Sequence, residues 1–377
     1  MMKIDKNLNT PYFLVDESLL RKNLEILRDV SRPSGCKILL AQKAYSMYYS
    51  YPIIREYLDG TTASGLYEAR LGYEEFGGET HVYSPAYRED EFDQLLKYAD
   101  TVVFNSPSQV KKYASKVKEA GKSIGLRVNP QCSTQKDYGI YDPCAPGSRL
   151  GTTIDDFDQS LLPFLDGLHF HTLCQQNSDD LEITVTAFEE KYGRYLKEMK
   201  WLNLGGGHHI TRMDYDIQRL IRIIKHLRST YEVEIYLEPG EAVVLNAGFL
   251  VSRILDIVHN EIDIAILDTS AACHMPDVIE MPYRPPIEGA GEANDKPYKY
   301  RLTGPTCLAG DIIGDYSLDN PLQIGDYLIF EDMALYTMVK TNTFNGIRLP
   351  DIVWKASDGN FHVVGTFGYE DFKSRLS

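Results

Sequence analysis

Short apolar runs recur along the first two thirds of the chain, and stretches with helical spacing separate them. TPYFLVD (10–16) is rich in aromatic and branched residues and predicts a strand. Asp16 or Ser18 can cap the next stretch, SLLRKNLEILRDV, where Leu20, Leu24 and Leu27 share one helical face. Eight more runs follow. They are CKILLA (36–41), GTTAS (60–64), THVYS (80–84), TVVFN (101–105), SIGLRVN (123–129), GLHFH (167–171), WLNLG (201–205) and EIYLE (234–238). GTTAS has the least strand character, but the spacing demands an element there. SPSQVKKYASKVKEA and DYDIQRLIRIIKHLRSTY are among the helical stretches between the runs. Eight strands alternating with helices predict a (β/α)8 barrel, with a doubly wound open sheet as the rival arrangement.

After about residue 245 the texture changes. GFLVSRILDIVHN, DIAILDTS, YKYRLTG, GDYLIFED, ALYTMV and DIVWKA read as strands with few helical patterns between them, punctuated by GD and DG turns. RPPIEGAGEANDKP (284–297) reads as a loop. The expected fold class is therefore α/β plus β. An N-terminal strand (1–15) packs with the β domain, residues 16–245 form the barrel, and residues 246–377 form a C-terminal, mostly-β domain.

Composition narrows the function classes. The 377-residue length fits two domains, and the 43% hydrophobic and 25% charged content is that of a soluble globular protein. No run approaches 18 apolar residues, and the N-terminus lacks the apolar core of a signal peptide, so no membrane partner and a cytoplasmic location are expected. The six cysteines are scattered without a CxxC pair, which reads as reduced thiols and no metal site. A formal charge of −15 disfavours nucleic acid and suits a cationic small molecule.

Candidate chemistry stands at the ends of the predicted strands. Lys43 closes the run CKILLAQK, where desolvation favours a nucleophilic amine. Gly205, Gly206 and Gly207 follow the seventh barrel strand, a place where backbone N–H groups can line a phosphate. Glu238 ends the eighth strand and could keep a pyridine nitrogen protonated. His171 could stack on a ring, whereas His169, two residues earlier, reads as structural. Cys307, after a glycine-proline turn, could deliver a proton if its thiol is exposed. Each residue also has a plain structural reading; the set in this order points to a cradle for a pyridine-aldehyde phosphate.

Together these residues resemble the fold-type III pyridoxal-phosphate decarboxylases, the alanine racemase-like barrel enzymes. The resemblance spans nearly the whole chain and rests on Lys43, His171, Gly205–Gly207, Glu238 in EPG, Cys307 in GPTC and Tyr336 in FEDMALYT, with TFNG (343–346) after them. It implies pyridoxal 5'-phosphate as cofactor, Tyr336 as a phosphate contact, and a homodimer with shared active sites in which Cys307 and Asp311 come from the partner subunit. Glu241 stands where ornithine and diaminopimelate decarboxylases usually carry arginine, and Leu308 replaces the acid after the cysteine. EPGEA, CHMPDVIEMP and GPTCLAGD resemble the branch of the family acting on carboxylated polyamines. That branch implies a long cationic substrate, for which Glu241, Asp277 and Asp311 are candidate ligands and His274 a further one. A sister decarboxylase for diaminopimelate, ornithine or arginine, a racemase of the same fold, and a non-catalytic binding protein are the alternatives.

Overall fold

The eight apolar runs after the first become short parallel strands because each is buried on both faces, which favours near-continuous apolar sequence. The computed structural model describes residues 2–135 and 139–377. It divides into two compact units, Lys22–Val243 and the combination of Met1–Arg21 with Val244–Ser377. The first division falls inside the helix Glu17–Ser34. Among the described residues no helix is long and apolar enough to cross a membrane.

The first unit is a closed barrel of β2 (Lys37–Ala41), β3 (Gly60–Ala63), β4 (Glu79–Tyr83), β5 (Thr101–Phe104), β6 (Ser123–Arg127), β7 (Gly167–His169), β8 (Trp201–Asn203) and β9 (Glu234–Leu237). Closure comes from β2 pairing parallel with β9, with Ile38 opposite Leu237. The GTTA of GTTAS is a fully buried strand despite its polar residues, paired on both sides. Leu39, Val103, Trp201 and Tyr236 form a cluster inside the barrel, with Tyr83 packed against it. Gly125 and Gly167 make room for this cluster, because a Cβ at either would overlap the Trp201 indole. Trp201 also donates its ring N–H to Ser123 Oγ at 3.0 Å.

The N-terminal ends of the strands carry an ionic network. Lys37 Nζ lies 2.5 Å from Glu79 Oε1 and 3.1 Å from Glu234 Oε2. Tyr236 donates to Glu79 at 2.9 Å, and His81 Nε2 lies 3.2 Å from the same carboxylate. Burial pushes the Glu79 pKa upward, but contacts from His81, Lys37 and Tyr236 outweigh it and bring it down to about 2.

The second unit is a mixed sheet in the order β13, β12, β11, β10, β1, β15, β16, with β14 also paired to β10. Its strands are β1 (Tyr12–Asp16), β10 (Gly248–Asn260), β11 (Ile262–Leu267), β12 (Tyr298–Thr303), β13 (Ile312–Leu318), β14 (Tyr327–Glu331), β15 (Asp351–Lys355) and β16 (Phe361–Gly365). The N-terminal strand lies between β10, antiparallel, and β15, parallel. Two strands go beyond the sequence reading: Gly314 and Asp315 interrupt the apolar pattern of β13, and β16 is a short partner to β15. ALYTMV is not a strand. It turns at Tyr336, in the left-handed region with φ 53°, and then forms a short 3-10 helix over Met338–Lys340.

Two outcomes test this packing. Gly167→Ala should cost about 1–3 kcal/mol by overpacking against the indole, read from urea denaturation; an unchanged midpoint would contradict the fit. Glu79 binds a proton less readily folded than unfolded, so its contribution should be present above its ordinary value of 4.5 and fade as pH falls toward about 2. Glu79→Gln should therefore flatten part of the acid loss of stability, measured as denaturation midpoint against pH.

Candidate active site

The C-terminal ends of the barrel strands bring the sequence-predicted residues of the first unit to one mouth. Lys43 comes two residues after β2, His171 two after β7, Gly205 two after β8 and Glu238 directly after β9. They therefore sit on the loops just past the strands. The main chain ties the last two together, since Glu238 N–H donates to Gly205 O at 2.8 Å.

Lys43 is accessible to solvent, yet protein crowds it closely. That crowding lowers its pKa, and the positive charge of Arg127 lowers it further against the pull of Glu238, Cys174 and Glu241. An amine that is reachable and more easily deprotonated than usual suits nucleophilic addition to a carbonyl.

Glu238 is buried, which by itself raises a carboxyl pKa. His169 and Asn203 reverse that direction and hold it at about 2. Asn203 Nδ2 donates to Oε1 at 2.8 Å, and His169 Nε2 lies 3.4 Å from Oε2. His169 stacks on Tyr83 with ring centroids 5.6 Å apart, and the Arg127 guanidinium lies 4.6 Å from the centre of the same ring. Residues two apart on an extended chain share a face. His169 is accordingly no bystander to His171.

His171 Nδ1 accepts the Gly206 N–H at 2.9 Å, so a ring proton belongs on Nε2. Burial, then the charges of Lys43 and Arg127, push its pKa well down and keep the ring neutral. Its carbonyl accepts from Arg127 at 3.3 Å.

The glycine loop corrects one expectation. Gly205 donates to Asn203 Oδ1 at 2.8 Å and Gly206 to His171, so two of the three N–H groups are engaged within the protein. Among the described residues, the Gly207 N–H has no such bond and is the donor left for a phosphate. The glycines themselves answer to packing. A Cβ at Gly206 would run into Glu238 O and one at Gly207 into Leu173 O.

Glu241 opens the short helix after β9, is half-buried, and accepts from Gln175 Nε2 at 3.0 Å. Arg127 and Asn203 are the site residues that sequence reasoning passed over. Their signal was the one used for Lys43: a polar residue at the end of an otherwise apolar strand.

The second unit holds Cys307, Tyr336, His274, Asp277 and Asp311. Cys307 is exposed, and its N–H donates to Asn345 Oδ1 at 2.8 Å. Tyr336 and Asn345 both adopt positive φ, at 53° and 59°. The three remaining candidates already have partners within the protein. Asp277 pairs with Lys340, which also holds Glu280 at 2.5 Å. His274 is fully buried, with Nδ1 3.0 Å from Thr269 Oγ1 and Nε2 3.0 Å from Arg348 O. Asp311 is 2% exposed and accepts from Ser270 Oγ at 2.9 Å, Thr306 Oγ1 at 2.7 Å, and the N–H groups of Ala272 and Thr306. It secures the GPTC loop from within.

The family model for pyridoxal-dependent decarboxylase, C-terminal sheet domain, matches residues 16–334. The chain belongs to the pyridoxal-dependent decarboxylases. It is 42% identical to the carboxynorspermidine/carboxyspermidine decarboxylase of Campylobacter jejuni, across 98% of this chain and 99% of that one. It is also 42% identical to the carboxyaminopropylagmatine decarboxylase of Synechocystis, across 98% and 96%. Among solved structures, carboxynorspermidine decarboxylase from Campylobacter jejuni, complexed with norspermidine, superposes with a TM-score of 0.91 at 42% identity, covering 98% of this chain and all of that one. Diaminopimelate decarboxylase from Helicobacter pylori, at 17% identity and a TM-score of 0.82, shares the fold.

The residues at the mouth fit a pyridoxal cofactor: a reachable amine of lowered basicity, a buried ionised carboxylate, a neutral imidazole and a free loop N–H. Asp311→Ala should destabilise the protein by about 2–4 kcal/mol, because the buried Ser270 hydroxyl and the partly buried donors of Thr306 and Ala272 lose their acceptor, at about 1–3 kcal/mol for a buried one. Thermal or urea melts measure this. A raised KM at unchanged stability would favour Asp311 as a substrate ligand.

Proposed function

We propose that this decarboxylase removes the α-carboxylate of carboxynorspermidine and carboxyspermidine, yielding norspermidine and spermidine in polyamine biosynthesis. The observation that carries the reading is a reachable amine of lowered basicity, Lys43, at one barrel mouth with a buried ionised carboxylate, Glu238. Pyridoxal 5'-phosphate, when bound, supplies a ring that accepts the electron pair left as carbon dioxide departs.

The chain's own groups take these parts. Lys43 would hold the aldehyde carbon, and Glu238 would face the ring nitrogen and keep a proton there. His171 would lie against the ring as a neutral imidazole. The N–H groups of the glycine loop, with Gly207 free to donate, and the Tyr336 hydroxyl would bind the phosphate. Cys307, with its exposed thiol, would return a proton to the carbon that lost its carboxylate. Glu241 would meet a cationic nitrogen of the substrate tail. The chain would act in the cytoplasm as a homodimer, the Cys307 of one copy serving the barrel of the other.

A second substrate reading rests on the Synechocystis relative, which has the same 42% identity. Carboxyaminopropylagmatine offers a guanidinium where the other two substrates offer an amine, and Glu241 could pair with either.

The test is carbon dioxide release from carboxynorspermidine, carboxyspermidine and carboxyaminopropylagmatine, with ornithine, diaminopimelate and arginine beside them. Wild type should turn over at least one of the first two, and Lys43→Ala should lose about a thousandfold or more in kcat. Turnover of carboxyaminopropylagmatine alone would transfer the assignment to that substrate. Turnover of none of the three would overturn it, and an unimpaired Lys43→Ala would overturn the role of the amine.

A further inference from the structure

Asn203 is fully buried at the end of β8, and both ends of its amide are committed. Oδ1 accepts the Gly205 N–H at 2.8 Å, and Nδ2 donates to Glu238 Oε1 at 2.8 Å. The orientation is set by chemistry. Turning the amide over would set oxygen against carboxylate and N–H against N–H, losing both bonds. The main chain runs alongside, with Leu204 N–H donating to Tyr236 O and Glu238 N–H to Gly205 O. One side chain therefore bridges the loop offered to a phosphate and the carboxylate offered to a ring nitrogen.

We propose that Asn203 is a positioning residue that locks Glu238 to the glycine loop, so that the two ends of the cofactor seat are held in register. The proposal rests on the cofactor reading above. It predicts that the polarity of this bridge matters beyond its bulk. Asn203→Asp keeps the shape and the acceptor for Gly205 but replaces the donor to Glu238 with a second carboxylate. Two carboxylates at this distance must share a proton. Asn203→Asp combined with Glu238→Gln reverses the bond, since the glutamine amide can then donate to the introduced carboxylate.

The test has two arms on the full chain. The first needs no cofactor: urea midpoints of wild type, Asn203→Asp and the double variant at about pH 8 and about pH 5. Like charge raises the pKa of the pair in the folded state, so the folded chain binds more protons than the unfolded one. Stability of Asn203→Asp should then be lost as pH rises, and its deficit should be larger at the higher pH. His169, His81, Arg127, Lys43 and His208, the other titratable groups around Glu238, are common to all three proteins. The double variant should recover most of the midpoint at the higher pH. If Asn203→Asp does not fold, a double variant that does fold supports the bridge, because the second substitution ends the carboxylate clash and restores an amide donor between the same two positions.

The second arm titrates pyridoxal 5'-phosphate into each protein and measures kcat and KM. Asn203→Asp should bind the cofactor about 10–100-fold more weakly, the scale on which outer partners of a bound group act. The double variant should regain that affinity but not kcat, because a glutamine cannot hold a proton on the ring nitrogen. Equal affinity in Asn203→Asp and wild type, or a double variant no better than the single one in both arms, overturns the proposal. A wild type that takes up no pyridoxal 5'-phosphate overturns the cofactor reading instead, and the first arm still decides the role of Asn203.

Discussion

A carboxylate taken out of water must find donors or give up its charge, and Glu238 has found them. Asn203 serves one oxygen, His169 faces the other, and Arg127 adds positive potential at the same mouth. These partners are themselves held: His169 against Tyr83, Tyr83 beneath Arg127, Arg127 on the carbonyl of His171, and His171 on Gly206. The contacts form a circuit around the mouth of the barrel. Lys43 stands beside that circuit, where desolvation first and then the charge of Arg127 make its amine less basic than usual.

Much of this was legible in the sequence. The eight apolar runs all became barrel strands, and Lys43, His171, Gly205 to Gly207 and Glu238 all reached one mouth. What sequence spacing could not show is which polar atoms would be used up inside the protein. Gly205 and Gly206 offered free N–H groups on paper, but in the fold they are spent on Asn203 and His171. Asn203 stands at a strand end as Lys43 does, but what it holds, a residue thirty-five positions later, is not legible from spacing.

The second unit shows the same limit more sharply. Asp277 and Asp311 read as ligands for a cationic tail because acids suit one, with His274 as a further candidate. Charge alone does not distinguish an acid that waits for a ligand from one that already has a partner. Asp277 has Lys340, and Asp311 gathers hydroxyl and backbone donors from two segments. Glu241 lies in the first unit, where it accepts from Gln175. The left-handed turn at Tyr336 was equally hidden, since ALYTMV has the composition of a strand.

The Trp201 indole fills space that Gly125 and Gly167 leave open. No one of these three positions can drift alone: a side chain at either glycine collides with the ring, and a smaller residue at 201 leaves a void. The floor of the barrel can be rebuilt only by losing the indole first and then filling behind it. The three positions, on three different strands, are in effect inherited as one.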